Sequence, residues 1–178
     1  MFSSLFVLLG SILYSRVKPE NRIWPPPSRT SWQYYLIWTA CSISFFGIAL
    51  LGYYDWRSFG LSVSIRVIGG VASVLGGILV TSAIATLGSK RTQGLGGDLV
   101  DSGPYRWSRN PQYLGDILLL LGFAVLSDSL TTLIACAGAS ICLWLAPFIE
   151  ESWLEDRLGQ EYSDYRRRVQ RFIGFKRN

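Results

Sequence analysis

The sequence predicts an all-α fold: a multi-pass transmembrane helical bundle of roughly four to five membrane helices, with a C-terminal helical hairpin and an amphipathic interfacial tail. Three observations carry this. Apolar residues make up 49% of the 178-residue chain against 16% charged, and mean hydropathy is positive. The apolar residues collect in long blocks, at residues 32–53, 63–87, 113–126 and 130–149. Basic residues fill alternate segments between the blocks, as the positive-inside rule requires of cytoplasmic loops.

Residues 2–14 are apolar but short. Without a basic leader or a small-residue cleavage site, they read as a short or tilted first membrane helix rather than a cleaved signal peptide. Pro25, Pro26 and Pro27 follow as a stiff linker that no helix continues through. The blocks at 32–53, 63–87 and 130–149 reach the roughly 20 residues that a bilayer core demands. The block at 113–126 is about 16 residues counted from Pro111, roughly 24 Å of helix, so it ends short of one face or leans on its neighbours. Trp24, Trp32, Tyr34, Tyr35, Tyr53, Tyr54 and Trp56 sit near the expected interfaces as an aromatic belt. Gly69, Gly70, Gly76 and Gly77 give one span a small-residue surface for close helix packing.

A polar, Gly-rich connection runs from residue 88 to 110, long for a membrane loop and therefore a candidate for function. Asn110 and Pro111 suit the N-cap and first position of the next helix. Ser127, Asp128 and Ser129 make the tight turn of a helical hairpin, and one of them caps the returning helix. Beyond it, Trp153, Leu154, Leu158, Tyr162, Tyr165, Val169 and Phe172 form an amphipathic stripe, interrupted at Gly159 into two short helices or a kink. The chain thus divides into membrane anchor helices at residues 1–87 and a region of loop, helical hairpin and amphipathic tail at residues 88–178.

The net charge of +5 is a topological signal rather than one for nucleic acid. Arg16, Lys18, Arg22 and Arg29 precede the first full span, Lys90, Arg91, Arg106 and Arg109 fill the central loop, and Arg157, Arg166, Arg167, Arg168, Arg171, Lys176 and Arg177 crowd the tail. If every block crosses, an even number of crossings separates these segments, so all three share the cytoplasmic side of an integral membrane protein (the plasma or inner membrane in a bacterium). The chain has no His, and Cys41, Cys136 and Cys142 show neither pairing nor metal-ligand spacing. That argues against Ser-His hydrolysis and a His-ligated metal. The turn at Gly94, Leu95, Gly96 and Gly97 lacks a preceding strand and the dinucleotide-binding spacing.

Two clusters flank the hairpin, GPYRWSRNPQYLG from Gly103 and EESWLEDRLGQEYSDY from Glu150. The turn-back brings them together at one face, where Tyr, Arg, Asn and paired carboxylates meet an apolar bundle. Each has a plainer role available: Asn110 as an N-cap, Glu150 and Glu151 as interfacial charges, Arg106 and Arg109 as positive-inside residues, Tyr162 and Tyr165 as belt or packing residues. Asp116 lies one turn into a membrane helix, where an ionisable group is expensive and functional by default. Its plain reading is a pair with Arg109 or a wet position at the interface.

These two motifs resemble those of the isoprenylcysteine carboxyl methyltransferase and phospholipid methyltransferase superfamily, which read Gly-x-Tyr-Arg-x-x-Arg-His/Asn-Pro-x-Tyr-x-Gly and Glu-Glu-x-x-Leu-x-x-x-x-Gly-x-x-Tyr-x-x-Tyr. The resemblance spans about half the chain. It implies S-adenosylmethionine as cofactor and a small lipophilic or lipid-like acceptor. Its cofactor-contacting loop corresponds to Gly97, Asp98, Leu99 and Val100, its motif Tyr to Tyr105, its His-Pro-x-Tyr to Asn110, Pro111, Gln112 and Tyr113, and its cofactor-binding Glu to Glu150. Asn110 replaces the His of the eukaryotic enzymes, as in many bacterial-type relatives. The isoprenylcysteine enzymes place a substrate-related Arg four residues before that Glu, where this chain has Ala146, so a prenylcysteine carboxylate is not the expected acceptor. Membrane enone and steroid reductases, which bind NADPH through a similar C-terminal region, are the first alternative. A non-catalytic membrane scaffold is the second.

Overall fold

The computed structural model describes residues 1–173; Lys176 and Arg177 of the basic tail lie outside them. Among the described residues seven α-helices carry the fold: α1 (Phe2–Val17), α2 (Trp32–Tyr54), α3 (Val63–Leu87), the single turn α4 (Ser89–Thr92), α5 (Pro111–Ser127), α6 (Leu130–Leu158) and α7 (Gln160–Arg168). Among the described residues the only extended pairing is an isolated bridge between Ser108 and Gln170. Helices α2, α3 and α6 are long and apolar enough to cross a membrane, and α1 and α5 are shorter apolar helices.

The helix ends follow local chemistry. Ser31 caps α2 by accepting from the Tyr34 N–H, and Ser129 caps α6 by accepting from the Thr132 N–H at 3.1 Å. Helix α5 stops at Asp128, in the left-handed region at φ 56°. The Asp128 carboxylate accepts the N–H groups of Gly60 and Leu61, while Ser129 and Thr131 donate to Asp55. Two short turns, 55–62 and 127–129, are thereby bonded together at one end of the bundle. Helix α6 runs nine residues beyond the apolar block, past Pro147, Glu150 and Glu151, before Gly159 ends it. Charge stops a span but not a helix, since Glu, Arg and Leu propagate it well.

Packing is uneven. Helix α3 lies along α5 through a seam of glycines, Gly69 and Gly76 facing Gly122 and Gly115. A Cβ at Gly69 would sit 2.7 Å from the Leu126 nitrogen, and one at Gly122 2.5 Å from the Ser73 nitrogen. The two backbones therefore touch, which only glycine permits, and the Ser73 hydroxyl donates to the Leu119 carbonyl at 2.9 Å. Gly70 and Gly77 lie one position off the seam, against the side chains of Leu126 and Leu119. Helices α1, α2, α5 and α6 share two apolar clusters, one around Leu5, Ile48, Leu120 and Ala135, the other around Ile12, Trp24, Ile37 and Cys142. Phe45, Phe46, Val67, Ile68, Val74 and Ile78 are exposed, an outer surface suited to lipid.

At the end opposite the tied turns, the three basic segments converge. Tyr34 donates to Gln93 at 2.7 Å, the Arg22 guanidinium lies 5.3 Å from the Trp153 ring centroid, and Arg168 reaches Asp101 at 3.8 Å. Trp24 departs from the expected belt. It is buried in the second apolar cluster, because the proline linker folds back beneath the loop instead of running along an interface. Trp32, Tyr35, Tyr53, Tyr54 and Trp56 are exposed.

Candidate functional site

The converging segments enclose a cavity of about 570 Å³ that runs from the loop down into the bundle. Its polar end is built by the hairpin. Tyr113, in the first turn of α5, donates its hydroxyl to Glu150 Oε2 on α6 at 2.6 Å. The two residues are remote in sequence, and the Ser127–Ser129 turn makes them neighbours. Only one oxygen of Glu150 accepts a hydrogen bond among the described residues; the other is available to a ligand.

Glu151 points the other way. Arg109 donates to both its oxygens, from Nε at 3.1 Å and Nη2 at 2.9 Å, Asn110 donates from Nδ2 at 2.9 Å, and Arg171 donates from Nε at 2.9 Å. The Arg109 and Glu151 side chains are 7% and 5% exposed, so this ion pair is buried, bidentate and fully hydrogen-bonded. Arg109 also donates to the Arg166 and Val169 carbonyls, and Asn110 and Ser108 donate to that of Arg171. The cluster clasps the loop, α6 and the tail together.

The geometry narrows the reading of four residues. Asn110 occupies the N-cap position of α5 but makes no side-chain cap there; its amide is spent on Glu151 and the tail. Asp116 does not pair with Arg109, which Glu151 engages instead, and lines the cavity. Tyr162 and Tyr165 are buried at 2% and 3% and face the protein, so they are packing residues and not belt residues. Tyr165 donates to the Tyr105 carbonyl at 2.7 Å, fixing the loop turn that starts at Gly103. Burial pushes the phenols of Tyr105, Tyr162 and Tyr165 well above their ordinary range, so all three stay neutral donors.

Nine of the ten residues singled out from the sequence line this cavity: Gly97, Asp98, Leu99, Val100, Tyr105, Asn110, Gln112, Tyr113 and Glu150. The tenth, Pro111, is fully buried as the first residue of α5 and does not line it. Asp98 stands at the rim, its side chain 99% exposed and 3.5 Å from Arg91. Trp24, Trp38, Arg91, Trp153 and Tyr162 also line the cavity, and the sequence did not mark them as site residues. A signal existed for two of them, since Trp153 and Tyr162 sit on the amphipathic stripe, whose apolar side turns inward. Nothing in the local sequence marks Trp24 or Trp38. Deeper, the walls become apolar: Leu5, Ile37, Ile48, Leu120, Ala139 and Cys142.

The arrangement joins a polar, aromatic chamber with a carboxylate to an apolar shaft, inside a bundle of membrane-spanning length. Such a site suits a polar cofactor meeting an apolar partner. The family model described as phospholipid methyltransferase matches residues 64–161, more than half the chain. The match includes the glycine seam, the loop, the hairpin and both glutamates. No curated protein sequence matches the chain.

Proposed function

The chain belongs to the phospholipid methyltransferase family, and on that premise we propose that this membrane methyltransferase uses S-adenosylmethionine to methylate a small lipophilic or lipid-like acceptor. The observation that carries the proposal is one cavity with a polar end and an apolar end, into which both sequence motifs contribute side chains. Its volume lies within the range of small-molecule sites.

The residues fit the cofactor. The open oxygen of Glu150 suits a ribose hydroxyl or an amino group, with Tyr113 holding the carboxylate in place. The aromatic walls, Trp24, Tyr105, Tyr113, Trp153 and Tyr162, suit a sulfonium cation. The Gly97–Val100 backbone and the amide oxygen of Asn110 complete the set. When bound, S-adenosylmethionine supplies a methyl group on a positively charged sulfur, a good leaving group that asks no metal or covalent intermediate of the protein. The protein's part is to orient the two reactants and exclude water, an effect worth roughly 7–11 kcal/mol in ideal cases. The apolar shaft holds the acceptor, and the basic end of the bundle faces the cytoplasm by the positive-inside rule.

Calorimetric titration of detergent-solubilised protein tests this directly. S-adenosylhomocysteine is expected to bind and NADPH not to. Binding of NADPH alone would transfer the chain to reductase chemistry, and binding of neither would leave a scaffold.

A further inference from the structure

Five charged residues line the cavity: Arg91, Asp98, Arg109, Asp116 and Glu150. Arg91 and Asp98 approach each other at the rim, Arg109 is clasped by Glu151, and Glu150 is held by Tyr113. Asp116 differs. Among the described residues its carboxylate takes part in no ion pair and accepts no hydrogen bond, although it lies partly buried on an apolar helix. An ionisable group on an apolar helix is unfavourable there unless a partner arrives.

Its position names the partner's role. Asp116 is one turn below Gln112 and Tyr113 on α5 and lines the same cavity, whose walls also include Cys41, Cys142 and Ala146. Above it lie the aromatic and carboxylate groups of the polar end; below it the lining is apolar. It therefore sits at the junction where a cofactor held above and an acceptor held below would meet. A carboxylate has only acceptor oxygens, so it takes an N–H or O–H and repels another anion.

We propose, resting on the methyltransferase reading, that Asp116 selects the acceptor: it binds one whose nucleophilic atom carries a proton, an amine or hydroxyl, and turns carboxylates away. It also takes that proton. The acceptor's nitrogen or oxygen forms its bond to the methyl carbon, the carbon–sulfur bond breaks with its electron pair left on sulfur, and the acceptor's proton passes to the Asp116 carboxylate. For an amine the attacking species is the neutral form. The balance closes with a neutral thioether, a methylated acceptor and a protonated Asp116 that returns its proton to water.

The test uses full-length protein in nanodiscs of fixed lipid composition, titrated with dodecylamine, dodecanol and dodecanoate and read by quenching of tryptophan fluorescence, to which Trp24 and Trp38 on the cavity wall contribute. The wild type is expected to bind the amine and the alcohol roughly tenfold or more tightly than the carboxylate. Asp116→Asn should bind dodecanoate as well as dodecanol, and Asp116→Glu should keep the wild-type order. Affinity for S-adenosylhomocysteine should stay within about twofold in both variants. Wild type that binds dodecanoate as tightly as the alcohol, or Asp116→Asn that keeps the wild-type order, overturns the proposal. If Asp116→Asn does not fold, the order shown by wild type and Asp116→Glu decides. Loss of S-adenosylhomocysteine binding by the wild type is a separate readout and counts against the methyltransferase reading instead.

Discussion

Glu150 and Glu151 are adjacent in the chain and belong to two different regions. Successive residues on a helix point about 100° apart, so one carboxylate enters the cavity and the other turns to the tail. In the cavity region Glu150 has one partner, Tyr113, and one open oxygen. In the clasp region Glu151 takes donors from Arg109, Asn110 and Arg171, and both its oxygens are occupied. The difference separates a group available for binding from one committed to structure. Exposure follows the same division: Glu150 is partly exposed at the cavity, whereas Glu151 is 4% exposed.

The largest test of this contrast is Glu151→Ala. It strands the Arg109 guanidinium in a buried position and releases the tail, so thermal unfolding in detergent should show a loss of about 3–5 kcal/mol. A melting temperature equal to wild type would erase the clasp. Next comes the seam that supports both regions from behind. Gly76→Val places side-chain atoms against the Leu119 nitrogen and the Gly115 carbonyl of α5, and should cost about 3 kcal/mol in the same assay. If it melts as wild type does, the backbones are further apart than described.

Glu150→Ala should behave in the opposite way to Glu151→Ala. Its melting temperature should change little, while affinity for S-adenosylhomocysteine should fall by about 2 kcal/mol, roughly thirtyfold, as expected for a charged hydrogen-bond partner. Equal affinity in calorimetry would remove Glu150 from the site. The smallest effect belongs to Tyr113→Phe, which keeps the ring in the wall but frees the Glu150 carboxylate. About 1 kcal/mol, near fivefold in affinity, is expected. Combined with Glu150→Ala it should add almost nothing, because the hydroxyl acts through that carboxylate; full additivity would show that the two work independently.

Much of the fold was legible because its signals are local. The apolar blocks, the Ser129 cap, the break at Gly159 and the hairpin turn each depend on a few neighbouring residues. Most of the residues singled out from the sequence line one cavity, since they fall in two dense motifs on either side of one turn. Trp24 and Trp38 were not legible as cavity residues, because a Trp near an expected interface reads as a belt residue or a lipid-facing one unless the path of the linker and the facing of the helix are known. The partner of Arg109 was not legible for a related reason. Asp116 is nearer in sequence, but Glu151 is nearer in space.

The sequence alone therefore determined the helices, their membrane-spanning lengths, the shared end of the basic segments and the family. Periodicity, caps and charge bias are properties of short stretches and survive without coordinates. Only the tertiary structure decided which carboxylate faces the cavity, which is locked away, and which is left without a partner. Those outcomes depend on how α5 and α6 are rotated about their axes, and packing against α3, α1 and the tail sets that rotation.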